Sequence, residues 1–347
     1  MKRIFVFLPP LRAVSGGLAV LADTAAGLAA LGRDAVLVLR EPGATPLTLP
    51  AGLPVVSLAA AGMTPEDVFL VPEGWPNALA PGLAAGARCV VYCQNWAYLF
   101  HGLPEGVGWD RLPVSFVAVS DPVARYIELA LCTRPPVLRP GIDPARFHPP
   151  ASKPAPSPVR VGFMPRKNRA LATMIRNMAA ARATRSGLAL EWVAIDGLPP
   201  DGVAEALRTC HVFLATGFPE GCPLPPLEAM ACGCVVAGFA GFGGFDYMRQ
   251  AGDGGHVPSV PLRDVPWGGN GFYAADNDVF GATACLETAA RLWIEGGEHL
   301  ARVLENARLT AKGYGAKRDL EDFLNACDGI RTEPVANNAL SFRDRGV

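Results

Sequence analysis

The chain has 347 residues, 18% of them charged and 50% hydrophobic, with 38 glycines and 33 prolines. At roughly 150 residues per domain that length suggests about two domains, and so apolar a chain is neither disordered nor a coiled coil. Lys+Arg 31 against Asp+Glu 32 leaves a net charge of −1, which argues against a nucleic-acid surface and makes any anion site a local arrangement.

Residues 3–8 read as a strand, followed by the turn Ser15-Gly16-Gly17 and an alanine-rich helix that Gly32 stops. Further strand-like runs fall at 35–39, 54–58, 68–71, 90–93 and 116–119. Asp121-Pro122 then opens a helix to about Leu131, with Asp121 as the predicted N-cap. Residues 148–158, HPPASKPAPSP, hold five prolines and read as an interdomain linker. A second series follows: strand 159–163, helix 169–183, strand 190–195, helix 202–208, strand 212–215, helix 225–231 and strand 234–237.

Strands alternating with helices imply parallel sheets covered on both faces. The predicted class is α/β, with two Rossmann-like domains facing an interdomain cleft. The first spans 1–150 and the second 151–315; residues 316–347 form a C-terminal helix crossing back to the first domain, plus a polar tail. The nine cysteines are irregularly spaced and read as small buried hydrophobes. The N-terminal apolar run stops at Pro9-Pro10, and no stretch approaches the roughly 18 apolar residues of a membrane span. A cytoplasmic protein is expected, and peripheral contact with the inner face of a membrane is compatible with it.

The densest signal is the string from Pro219 to Val236, PEGCPLPPLEAMACGCVV. A strand ends near Thr216, a tight loop carries Glu220, and a helix starts near Pro225 with Glu228 in or next to its first turn. A loop running into a helix N-terminus offers free N–H groups and a positive dipole end, which suit a phosphate. The carboxylates suit sugar or ribose hydroxyls. A second cluster, Met164-Pro165-Arg166-Lys167-Asn168, follows the first strand of the second half. Ligands bind at the carboxyl ends of strands in such sheets, and adjacent Arg166 and Lys167 there can neutralise a diphosphate leaving group.

In the first half, Gly16 and Gly17 form a glycine turn at a helix N-terminus without the full dinucleotide fingerprint. The loop Gln94-Asn95-Trp96 offers amides for sugar hydroxyls and an aromatic face for a sugar ring, and Glu73 ends another strand on the expected acceptor side.

Together these motifs resemble the retaining GT-B glycosyltransferases of family 4, the group 1 glycosyl transferases, whose context reads E-G-x-x-L-P-x-L-E-A-M-A-x-G-x-P-V-V. Glu220 and Glu228 fall on the paired glutamates, and Leu224, Pro226, Ala229, Met230 and Gly233 on typical positions. Arg139-Pro140-Gly141-Ile142-Asp143 looks like the segment that closes the family's first domain. The resemblance implies a metal-independent transfer from a nucleotide-diphosphate sugar to a glycan, lipid-linked or other hydroxyl acceptor. It gives Glu228 the ribose and Glu220 the transferred sugar or the phosphate. Arg166 and Lys167, with Arg169 as a further candidate, take the departing charge. Gly16, Gly17 and the Gly221-Cys222-Pro223-Leu224 loop approach the donor, which is a substrate; no cofactor or metal is expected. Two positions depart from the family: Pro223 stands where glycine is usual, and Gln94 and Asn95 stand where a histidine is common.

A dehydrogenase would need the glycine fingerprint and its ribose acid, which are missing. A sugar-nucleotide epimerase or phosphorylase, and a catalytically weakened glycan-binding protein, are the remaining alternatives.

Overall fold

The computed structural model describes residues 2–11, 15–41, 43, 45–314, 320, 323 and 324. The first domain begins with β1 (Arg3–Leu8), α1 (Gly16–Ala30), β2 (Asp34–Leu39), β3 (Val55–Ser57) and β4 (Val68–Pro72). It continues through α2 (Ala80–Ala84), β5 (Arg88–Cys93), β6 (Val114–Ala118) and α3 (Asp121–Leu131). The second holds β7 (Val159–Phe163), α4 (Arg169–Ser186), β8 (Leu190–Ala194), α5 (Pro200–Thr209), β9 (Val212–Ala215) and α6 (Leu224–Ala231). After these come β10 (Val235–Phe239), β11 (Gly271–Ala274), α7 (Val279–Glu295) and α8 (Gly297–Gly313).

The strands form two parallel sheets, ordered β3-β2-β1-β4-β5-β6 and β11-β10-β9-β7-β8. Both faces are covered, so the inner strands are continuously apolar: Phe5 to Leu8 of β1 and all of β4 and β9 are buried. Truncating one such core phenylalanine costs about 3–5 kcal/mol.

Each order has a switch point, where neighbouring strands send their connections to opposite faces and leave a crevice at their carboxyl ends. In the first sheet it lies between β1 and β4, and in the second between β7 and β9. The loops after these strands carry Gly16 and Gly17, Glu73, the Arg166-Lys167 pair and Glu220. Topology alone therefore brings the sequence motifs to two crevices.

One detail differs from the sequence reading. Ser120, not Asp121, caps α3: its extended backbone (φ −158°) lets Oγ accept from Val123 N–H, and Asp121 instead pairs with Arg125 at 3.0 Å and Arg134 at 2.6 Å. Within residues 148–158, Lys153 Nζ donates to Leu207 O (3.0 Å) and the His211 ring meets Pro154 O (2.9 Å), which ties the segment to the second domain. Ile142 and Phe147, within the span 1–150, are buried in a second-domain core. The predicted 316–347 segment lies outside the described residues except for Leu320, Phe323 and Leu324, which are buried in the first-domain core.

Candidate active site

The loop after β7 turns tightly, with Lys167 N–H donating to Met164 O at 2.9 Å, so that the lysine faces the loop after β9. Its Nζ forms an ion pair with Glu220 Oε1, and its carbonyl accepts from Thr216 Oγ. Asn168 next to it stands in the left-handed region (φ 57°), which asparagine tolerates better than most residues. Its amide donates to Thr216 O (2.8 Å) and Phe218 O (3.1 Å), tying the two loops together. A small pocket lies beside the pair, lined by Met164, Lys167, Thr216, Gly217 and Glu220 among others.

Glu220 is also fixed through its backbone. Its N–H donates to Gly241 O and its carbonyl accepts from Gly243 N–H, both at 3.0 Å. The side chain is 17% exposed and that of Lys167 31%, so the ion pair is reachable from the cleft. An arriving phosphate can exchange for Glu220 as the lysine's partner.

Glu228 lies just past the first turn of α6, in or next to which the sequence places it. Burial pushes its carboxyl up to about 7, against the opposing pull of Arg166 and then Arg146. No hydrogen bond or ion pair holds this carboxylate among the described residues, which leaves both oxygens for a ligand. Arg166 therefore faces Glu228 electrostatically while Lys167 engages Glu220. Arg169 points away, 76% exposed and 4.0 Å from Asp196.

The expected anion site at the start of α6 is poorer than its sequence suggests. The helix begins at Leu224 with Pro223 as its N-cap, and Pro225 and Pro226 follow. Proline has no N–H, so Leu224 supplies the one donor among these four positions. Pro223 O is occupied by Tyr247 Oη at 2.6 Å, and burial keeps the Cys222 thiol well above its ordinary value. The start of α6 therefore offers an anion little backbone hydrogen bonding.

The first domain meets this loop directly. A Cβ on Gly221 would overlap the Gln94 carbonyl, so only glycine fits there, and Ser120 Oγ donates to Gly221 O at 2.6 Å. Asn95 Nδ2 donates across the domains to Pro219 O at 2.9 Å. The Trp96 ring packs against Tyr126 and against Phe242 of the second domain, with centroids 5.5 and 5.6 Å away. Trp96 therefore helps to join the two domains while staying half-buried. Gly17 lies beneath the Gln94 side chain, where a Cβ would come within 2.8 Å of Oε1; Gly16 is free of such contacts. Glu73 is buried, 4% exposed, and its carboxylate accepts from Gln94 N–H (2.9 Å) and Asn95 N–H (2.8 Å).

Sequence reasoning did not reach Asp246, which is fully buried at the domain junction. It accepts from Asp121 N–H (2.8 Å), Arg139 (2.6 Å) and the Tyr314 hydroxyl, with Arg263 at 3.3 Å. Its signal was the Phe-Asp after the Gly243-Gly244 turn, which spacing alone does not distinguish from an exposed loop acid. Among the described residues no three His, Cys, Asp or Glu side chains gather as a metal site, and no helix is long and apolar enough to cross a membrane.

Among known proteins, no family model matches the chain. It is 26% identical over 195 residues to an alpha-1,6-glucosyltransferase of Actinobacillus pleuropneumoniae serotype 7, a match covering 55% of this chain and 58% of that protein. In structure it is similar to a glycosyltransferase from Rickettsia africae, with a TM-score of 0.67 at 12% identity, covering 93% and 97% of the two chains. It is also similar to the catalytic domain of starch synthase IV from Arabidopsis thaliana bound to ADP and acarbose. There the TM-score is 0.65 at 13% identity, with 94% and 99% covered. The two parallel sheets with their helices form the GT-B fold.

Proposed function

We propose that this protein is a glycosyltransferase that moves a sugar from a nucleotide-diphosphate donor to a hydroxyl of a glycan or related acceptor. The observation that carries this reading is the cleft-facing Lys167–Glu220 ion pair with Glu228 recessed beside Arg166, at the switch point of the second sheet. Glu228 holds the ribose hydroxyls, and Lys167 with Arg166 neutralises the diphosphate as the bond to the sugar breaks. Glu220, released from Lys167, turns to the transferred sugar. Transfer proceeds with retention and without a metal ion, the cation pair taking the role a divalent ion would otherwise fill. The acceptor enters from the first-domain side, in the biosynthesis of a polysaccharide or another surface glycan, lipid-linked acceptors included, with the protein working at the inner face of the membrane.

The partial relative is a glucosyltransferase, so glucosyl donors come first in the test. Wild-type protein is heated with UDP-, GDP- and TDP-sugars, and stabilisation is compared with that by NAD. Stabilisation by one nucleotide sugar, lost in Glu228→Ala and Arg166→Ala, supports the reading; stabilisation by NAD alone contradicts it.

A further inference from the structure

Glu73 does something other than meet an acceptor. It follows β4 at the first sheet's switch point and is shut off from solvent. Both of its oxygens are taken by consecutive backbone N–H groups, those of Gln94 and Asn95. Consecutive N–H groups in an extended chain point to opposite sides, so a single carboxylate accepting both forces a defined bend just after β5. That bend places the Gln94 side chain over Gly17 and its carbonyl against Gly221. The Gln94 amide oxygen lies by Gly17 at the N-terminus of α1, and the amide nitrogen is buried without a hydrogen-bond partner. A buried amide donor left unmade costs free energy, and a ligand oxygen at the cleft removes that cost.

We propose that Glu73 is a positioning residue, which, by bending the chain at Gln94 and Asn95, aims the Gln94 amide nitrogen at an oxygen of the bound donor. The inference rests on the transferase reading above. Gln94 touches the substrate; Glu73 acts only through it. The titratable group facing Glu73 is Cys93, whose own thiol burial pushes well above its ordinary value, so it stays neutral beside the carboxylate.

The test is nucleoside diphosphate release from the nucleotide sugar that most stabilises the wild type. Glu73→Gln, in which one acceptor becomes a donor facing an N–H, lowers kcat about tenfold, as expected for one lost hydrogen bond. KM stays within about threefold, since the ribose and phosphate contacts remain. Gln94→Ala lowers kcat at least as much, and adding Glu73→Gln to it costs less than about threefold more, because the group being aimed is gone. Wild-type kcat from Glu73→Gln, or fully multiplicative losses in the double variant, overturns the inference while leaving the transferase reading intact. Should Glu73→Gln not fold, the wild-type profile decides. Burial pushes the Glu73 carboxyl up to about 7, and protonation leaves one oxygen as a poorer acceptor. At saturating donor, kcat then falls as pH drops through about 7, and this limb disappears in Gln94→Ala; its persistence there overturns the inference. No release or stabilisation with any nucleotide sugar in the wild type overturns both readings together.

Discussion

At the scale of single residues, the two glutamates do different work because their surroundings differ. Glu220 is paired with Lys167 and reachable, whereas Glu228 is recessed with no bonded partner. Folding raises the Glu228 carboxyl from 4.5 to about 7, so between those values the folded state holds a proton that the unfolded state releases. Its stability is fully present below about 4.5 and declines as pH rises through 7. Glu228→Gln, neutral throughout, therefore melts higher than the wild type at pH 8 and equally at pH 4.5. The gap is about 2–4 °C for each kcal/mol recovered, and the same variant loses nucleotide binding. Lys167→Ala is the opposite case: its partly exposed pair contributes less than about 1 kcal/mol to folding. Loss of the cation lowers turnover about 10²-fold, readable in a single-turnover assay. The placement of both glutamates and both cations in the loops and helix after β7 and β9 was legible in the sequence, because a long string of specific neighbours surrounds them. Glu73 and Asn95 were legible as residues just past the ends of β4 and β5, but not as a clamp and a bridge. Those roles depend on partners as distant in sequence as Asn95 and Pro219.

At the scale of elements, strand and helix positions were readable because buried parallel strands are continuous apolar runs and the helices between them carry caps and stops. The cap of α3 was misread where two capping residues compete, Ser120 and Asp121, while the start of α6 fell within one residue of its observed position. The αL corner at Asn168 was also missed, because asparagine favours the left-handed region without marking which asparagine adopts it. Its geometry makes a test. Asn168→Ala loses two hydrogen bonds and strains the corner, costing about 2–3 kcal/mol. Asn168→Gly loses the bonds without the strain and costs about 1 kcal/mol less. Urea titration of the two variants measures the difference; equal midpoints would show that the corner relaxes without cost.

At the scale of the whole molecule, the two domains meet around Asp246, which joins α3, the 139–142 crossing and Tyr314 at the end of α8. Burial pushes its carboxyl up, but the Arg139 hydrogen bond and charge, with Arg263 and Tyr314, outweigh that and hold it below its ordinary value. Its contribution is present at neutral pH and is lost as pH falls below the usual carboxylate range. Asp246→Ala leaves Arg139 and Arg263 without their shared acid and costs about 3–5 kcal/mol. Denaturation of this variant at pH 7 checks the figure. The low charge and abundant glycine and proline of the chain acquire a purpose at this scale. Glycines 17 and 221 permit backbone and side chain to close across the cleft, and three prolines strip the start of α6 of N–H donors.

The central claim is that this cleft transfers a sugar from a nucleotide donor, and its most direct test is nucleoside diphosphate release across a panel of UDP-, GDP- and TDP-sugars. The wild type is predicted to release diphosphate slowly from one of them, and faster once an acceptor glycan is added. Glu220→Gln is predicted to abolish release while binding that donor within a few-fold of the wild type. Release that survives Glu220→Gln unchanged, or none from any nucleotide sugar, would contradict the account.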